Sequence, residues 1–164
     1  MAFQNSVRAD LTTGYVGEIA YGSAIRATSF SLNSSDQAQN IIGRYFTVNA
    51  DGTVAAGGAG DIAGIMINPK GQVSQGTSAG TLQPTLQVNN NKTAEFLSNG
   101  IVYVNLATAA VIGDLVTYST TTGALDRVAK GTSAAPSGYA FVPNCRVTHV
   151  QNTGNGLSVV TINN

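Results

Sequence analysis

Apolar and polar residues alternate along this chain in short runs rather than in helical stripes. Phe30 and Leu32 alternate with Ser29, Ser31 and Asn33, which predicts a half-buried strand. Tyr45–Val48 and Thr53–Ala55 flank Asn49-Ala50-Asp51-Gly52 and read as a hairpin turning on Asp-Gly. Ile62–Ile67 is an apolar run interrupted by Gly64, short enough for a buried strand and stopped by Asn68-Pro69. Thr85–Val88 alternates, and Asn89-Asn90-Asn91-Lys92 turns it toward a partner beginning near Thr93. Asn99-Gly100 precedes the strongest strand, Ile101–Leu106, whose Val102, Val104 and Leu106 share one face, assigned to the core. Leu115–Tyr118 and Ala124–Val128 flank the turn Thr121-Thr122-Gly123, and Cys145–Val150 pairs with Leu157–Ile162 across Asn152–Gly156. Strands arriving every ~8–12 residues without intervening helices predict an all-β chain.

Helical signals are few. Ser34 and Gln37 have capping-box spacing, so Ser34–Asn40 is the best helical candidate, as a single turn or a short helix. Thr108–Ile112 reads as a small-residue connector with at most one helical turn, and Gly71–Gly80 and Gly131–Gly138 as loops. Gly57, Gly58 and Gly60 predict a flexible corner between strands. No internal repeat is evident. Residues 1–28 are poor in consecutive apolar residues and read as an extended arm with one short strand near Glu18–Tyr21. The expected architecture is therefore a single β-sandwich or barrel, jelly-roll-like, over residues 29–164, preceded by an extended N-terminal arm, residues 1–28.

Composition narrows the function. Charged residues make up only 10% of the 164, against roughly 25% in ordinary soluble domains, and the formal net charge is zero. Eight acids and eight bases scattered singly assemble no basic stripe, so phosphate-directed nucleic-acid binding is not expected. A charge-poor surface repels its own kind weakly, which suits a protein destined for a lattice. No signal peptide is expected from the first residues, and the longest apolar stretches fall far short of the ~20 residues of a membrane span. Cys145 is the only cysteine, so no intrachain disulfide forms, and synthesis in a reducing cytoplasm is the default expectation.

Chemistry is hard to assemble from these residues. Cys145 and His149 suggest a dyad, but on a strand they stand roughly 13 Å apart, where a nucleophile and its base need about 3 Å. One His and one Cys without ligand spacing give no zinc site, and no cofactor is expected. Gly57-Gly58-Ala59-Gly60-Asp61 is one defective copy of a calcium-binding nonapeptide and lacks the helix of a dinucleotide fingerprint. Asp51, Asp61, Asp114 and Asp126 each sit beside Gly or a turn, where Asp supports backbone. The expectation is a non-enzyme.

Several ordered phrases resemble the structural cement protein family of tailed phages: Gly14–Ala27 (GYVGEIAYGSAIRA), Ser31–Phe46 (SLNSSDQAQNIIGRYF), Ala63–Lys70 (AGIMINPK), Leu97–Val104 (LSNGIVYV), Ile112–Leu125 (IGDLVTYSTTTGAL) and the closing Pro143–Ile162. The resemblance implies a β-rich decoration protein on the outer capsid surface, bridging neighbouring major capsid protein subunits as a symmetric oligomer. A homotrimer is the preferred state and a dimer the alternative. The arm is then the expected attachment element, with Tyr15, Ile19 and Tyr21 as apolar anchors and Glu18 and Arg26 as charged contacts, because an extended segment can lie along a neighbour or add a strand to its sheet. The rival readings are a carbohydrate- or receptor-binding β module of a tail or fibre, for which the six tyrosines could supply a platform, and a hydrolase with dispersed carboxylates.

Overall fold

The computed structural model of the chain describes residues 14–22, 24–67, 87–150 and 156–164. The elements are β1 (Arg26–Ser31), a single 3-10 turn (Gln37–Gln39), β2 (Tyr45–Val48), β3 (Val54–Ala56), β4 (Asp61–Met66), β5 (Thr93–Leu106), β6 (Leu115–Ser119), β7 (Leu125–Val128), β8 (Tyr139–Val150) and β9 (Gly156–Asn163). The strands form one antiparallel sheet in the order β3-β2-β4-β5-β9-β8-β6-β7, with β1 also paired to β5. The all-β expectation holds, and the sheet is open rather than closed into a barrel. Segments 68–86 and 151–155, which include the expected loop Gly71–Gly80 and most of the Asn152–Gly156 turn, lie outside the described residues, as do residues 1–13 of the expected arm.

The long strand β5 organises the rest. Its N-terminal part, Thr93–Asn99, pairs with β1, its Phe96 and Leu97 also pair with β4, and Asn99–Leu106 pairs with β9. Asn99-Gly100 is therefore no boundary: the two apolar runs on either side of it are a single strand. Val102, Val104 and Leu106 are buried together as their alternation predicts, in a cluster with Tyr45, Ile65, Leu97, Val116, Tyr118, Cys145, Val147, Val160 and Ile162. A second cluster gathers Leu32, Ile42, Phe46, Val54, Met66, Val88, Ala94 and Phe96. Neighbouring strand residues point to opposite faces, so Phe96 and Leu97 serve the two clusters from adjacent positions.

Local signals resolved differently from expectation in three places. The 3-10 turn is capped by Asp36, whose carboxylate accepts from the Ala38 N–H at 3.0 Å, while Ser34 is drawn away to accept from the Ala56 N–H. β8 begins at Tyr139, ahead of the expected Cys145, and runs through Pro143 because the pairing with β6 breaks register there and Asn144 takes φ 45°. The glycine corner is a lock, not a hinge. Gly57 and Gly58 pack against the turn between β6 and β7: the Gly58 N–H donates to the Thr120 carbonyl at 2.7 Å, the Tyr45 N–H to the Gly123 carbonyl and the Gly57 N–H to the Tyr45 carbonyl, both at 2.9 Å. The Tyr118 hydroxyl donates to the Gly58 carbonyl, and the Tyr45 and Tyr118 rings lie 4.3 Å apart over the same junction.

Gly123 has φ +68°, and a Cβ there would fall 2.3 Å from the Tyr45 carbonyl oxygen, whereas Gly52 has a similar φ of +80° with open space around it. Gly52→Ala should therefore cost only the left-handed strain of about 1 kcal/mol, and Gly123→Ala that strain plus a backbone clash, on the order of 3 kcal/mol in all. Urea midpoints of the two variants measure the difference; equal losses would show that the interlock contributes nothing.

Candidate functional site

Among the described residues, Cys145, His149 and the acids near turns do not converge. Cys145 is buried in the first core cluster, where the absence of solvation pushes its thiol far above the ordinary thiol range. His149 is exposed, because the β8–β9 register shifts between Val147 and His149 and turns the imidazole to the opposite side of the strand from the buried thiol. Three of the acids support backbone turns, Asp51 and Asp114 within their own turn and Asp126 in the connection that follows β5. Asp51 accepts from the Thr53 hydroxyl and N–H, which hold its carboxyl below the usual range, and Asp126 accepts from the hydroxyl and N–H of Thr108. Asp114, buried, accepts from the Val111 N–H at 3.0 Å and lies 3.6 Å from the Arg127 guanidinium. Among the described residues no group of three or more His, Cys, Asp and Glu side chains gathers to hold a metal ion.

The predicted arm residues separate into inward and outward groups. Ile19 bridges to Val102 and packs against the first core cluster, so it anchors the arm to its own domain. The Gly17 N–H donates to the Tyr103 carbonyl at 2.7 Å, the Tyr103 N–H to the Glu18 carbonyl at 2.9 Å and the Ala20 N–H to the Ile101 carbonyl at 2.9 Å. Residues 17–20 thus extend the sheet along the edge of β5 that β9 leaves free. The short strand expected near Glu18–Tyr21 is this bridge rather than a full strand. Glu18 accepts from the Tyr15 N–H at 3.0 Å, and the Arg26 Nε–H donates to the Ser98 hydroxyl at 3.0 Å. Tyr15 and Tyr21 point outward, 71% and 52% exposed.

Sequence reasoning missed four further exposed apolar side chains among the described residues: Ile62, expected in a buried strand, is 41% exposed near the start of β4, and the others are Ile25, Val111 and Ile112. Ile25 stands beside β1, and Val111 and Ile112 stand in the connection between β5 and β6. Their signal was present in the composition of Thr108–Ile112, which is too apolar at its end for a solvated connector. Of the six tyrosines, Tyr45, Tyr103 and Tyr118 are buried, which leaves little aromatic surface for a sugar platform. Among the described residues the exposed charges, such as Glu18, Arg26, Asp61, Lys92, Glu95 and Arg146, are of both signs.

Residues 3–163 match the family described as structural cement protein (E217 gp24/Pam3 gp6). A solved structure described as the capsid of Myoviridae phage XM1 contains a chain of the same fold: TM-score 0.65 and 22% identity, covering 99% of this chain and 98% of that one. Among curated proteins no relative matches.

The thiol yields a pH prediction. A Cys pKa raised by folding stabilises the native state fully below the unfolded thiol value of about 8.5, and that contribution is lost as pH rises above it, at about 1.4 kcal/mol per pH unit. The buried Tyr45 hydroxyl, also shifted upward by burial, acts in the same sense from about pH 10. The urea midpoint should fall between pH 8.5 and 10 in the parent and fall less in Cys145→Ala. Parallel decline in both would show that the thiol titrates as it does in the unfolded chain.

Proposed function

The chain belongs to the structural cement protein family, and from that premise we propose that it attaches to the outer surface of a phage head, bridges neighbouring major capsid subunits and stabilises the mature shell. The near-complete family match carries the reading, and the capsid-derived structural neighbour agrees in fold. The surface chemistry is consistent with it. Charged residues are 10% of the chain, and the exposed large hydrophobics Tyr15, Tyr21, Ile25, Ile62, Val111 and Ile112 supply contact area without charge. A symmetric oligomer, in our reading a trimer, presents several copies of these contacts at once. Each contact is weak, but later ones form at high effective concentration once the first is made.

A ligand that prefers the assembled lattice lowers that state's free energy in proportion to its binding. Heads carrying the protein should therefore release DNA at a higher temperature than heads without it during a thermal ramp. Because the contacts are apolar and hydrogen-bonded, the difference should survive moderate salt, which screens charges beyond about 10 Å at 0.1 M. Equal release temperatures would remove the cement function, and loss of the protein at modest salt would show that attachment is ionic.

A further inference from the structure

Tyr15 and Val111 open two turns of one design. In Tyr15-Val16-Gly17-Glu18 and Val111-Ile112-Gly113-Asp114, two apolar residues are followed by a glycine of positive φ, +82° and +94°, and then by an acid. The acid's N–H donates to the first residue's carbonyl, at 3.0 Å for Glu18 to Tyr15 and 3.1 Å for Asp114 to Val111. Its carboxylate accepts from the first residue's own N–H, at 3.0 Å in both. Each turn then docks on one strand residue through a reciprocal pair. Gly17 donates to Tyr103, which donates back to Glu18; Gly113 donates to Val147, which donates back to Asp114.

A third turn, Ile41-Ile42-Gly43-Arg44, has the same backbone pattern on Met66, but Arg44 replaces the acid. Its Ile42 is buried in the second core cluster, so that copy serves packing. In the two acid-braced copies the leading side chains face outward, Tyr15 71% and Val111 64% exposed; Ile112, second in its turn, is also 65% exposed, while its counterpart Val16 is half-buried. Bracing of both the N–H and the carbonyl of the leading residue fixes the backbone from which its side chain projects, which lowers the ordering cost of a contact.

The two turns stand on opposite flanks of the same three strands. Tyr103 pairs with Val159 and Val147 with Val160, so the order across the sheet is the first turn, β5, β9, β8 and the second turn. Four strand spacings separate the turns by roughly 19 Å measured along the sheet. Each tip offers one or two side chains, far below the roughly 800 Å² per partner of a stable pairwise interface. Neither could hold a soluble partner or a second copy alone. Such a tip contributes only where many sites are filled together, as on a repeating protein lattice.

Resting on the cement reading, we infer that Tyr15 and the Val111-Ile112 pair are matched apolar contacts through which one copy engages two different sites of the capsid lattice. The test uses the full-length chain and heads assembled without it, with co-sedimentation as the readout. Tyr15→Ser and the double variant Val111→Ser/Ile112→Ser should each weaken binding at least tenfold, and the combined variant should not sediment with heads. The milder Ile112→Thr, which keeps the branched shape, should give a smaller loss in the same direction. Circular dichroism and the solution oligomeric state should match the parent in all four. Binding of both turn variants within twofold of the parent would overturn the inference while leaving the cement reading intact. Loss of self-association without loss of head binding would overturn it too, by assigning the tips to contacts between copies. A parent chain that fails to sediment with heads would instead refute the cement reading, and this inference with it.

Discussion

β5 must bury one face at its N-terminal end and the opposite face at its C-terminal end, because Ala94 and Phe96 pack around Phe46 while Leu97, Val102, Val104 and Leu106 pack around Tyr45 and Val116. Strict alternation cannot put Leu97 and Val102 on one face, since they lie an odd number of residues apart. An irregularity between them resolves the conflict. Arg26 pairs with Asn99 and Ala27 with Leu97, so the ladder to β1 slips past Ser98, and Gly100 takes φ +143°. The two clusters are then joined by one strand, with β4 paired to β5 before the slip, β9 after it and β1 across it. The interlock of Gly57 and Gly58 with the turn at Gly123 ties the halves a second time, at a distance from β5 in sequence.

This constraint also decides what the N-terminal segment does. Residues 17–20 take the edge of β5 beside Ile101 and Tyr103, and a Cβ on Gly14 would strike the Tyr103 ring at 2.4 Å. The described part of the segment read as an arm is thus seated on its own domain, with Ile19 turned inward and Tyr15 and Tyr21 outward. Apolar content alone does not distinguish an anchor that holds the chain to itself from one offered to a partner.

Much of the fold was legible because strand-forming runs and their turns are local. The hairpin across Asp51-Gly52, the core face of Val102, Val104 and Leu106, and the β6–β7 turn at Gly123 all follow from alternation and turn chemistry. What was illegible depends on contacts distant in sequence. Asn99-Gly100 has the composition of a turn but is kept within one strand by its pairing with β9, and with β1 at Asn99, while Ser34 has the spacing of a cap but is claimed by Ala56. The recurrence of the docked turn lies in hydrogen-bond geometry, with only two apolar residues and a Gly shared by the three sequences, a pattern too common to mark it. Val111 and Ile112 stand exposed because Asp114 and Arg127 fix that turn: Asp114 accepts from the Val111 N–H, and Arg127 donates to the Ala109 carbonyl.

The described part of this charge-poor, charge-balanced β-sheet protein holds several apolar side chains outward on braced turns. Its family gives it a capsid-associated structural role. The most direct test is the ratio of this chain to the major capsid subunit in purified intact particles, measured by quantitative mass spectrometry. A lattice-bound cement protein predicts a fixed small-integer ratio set by capsid symmetry. A few copies per particle would contradict the account and point to a tail or fibre component.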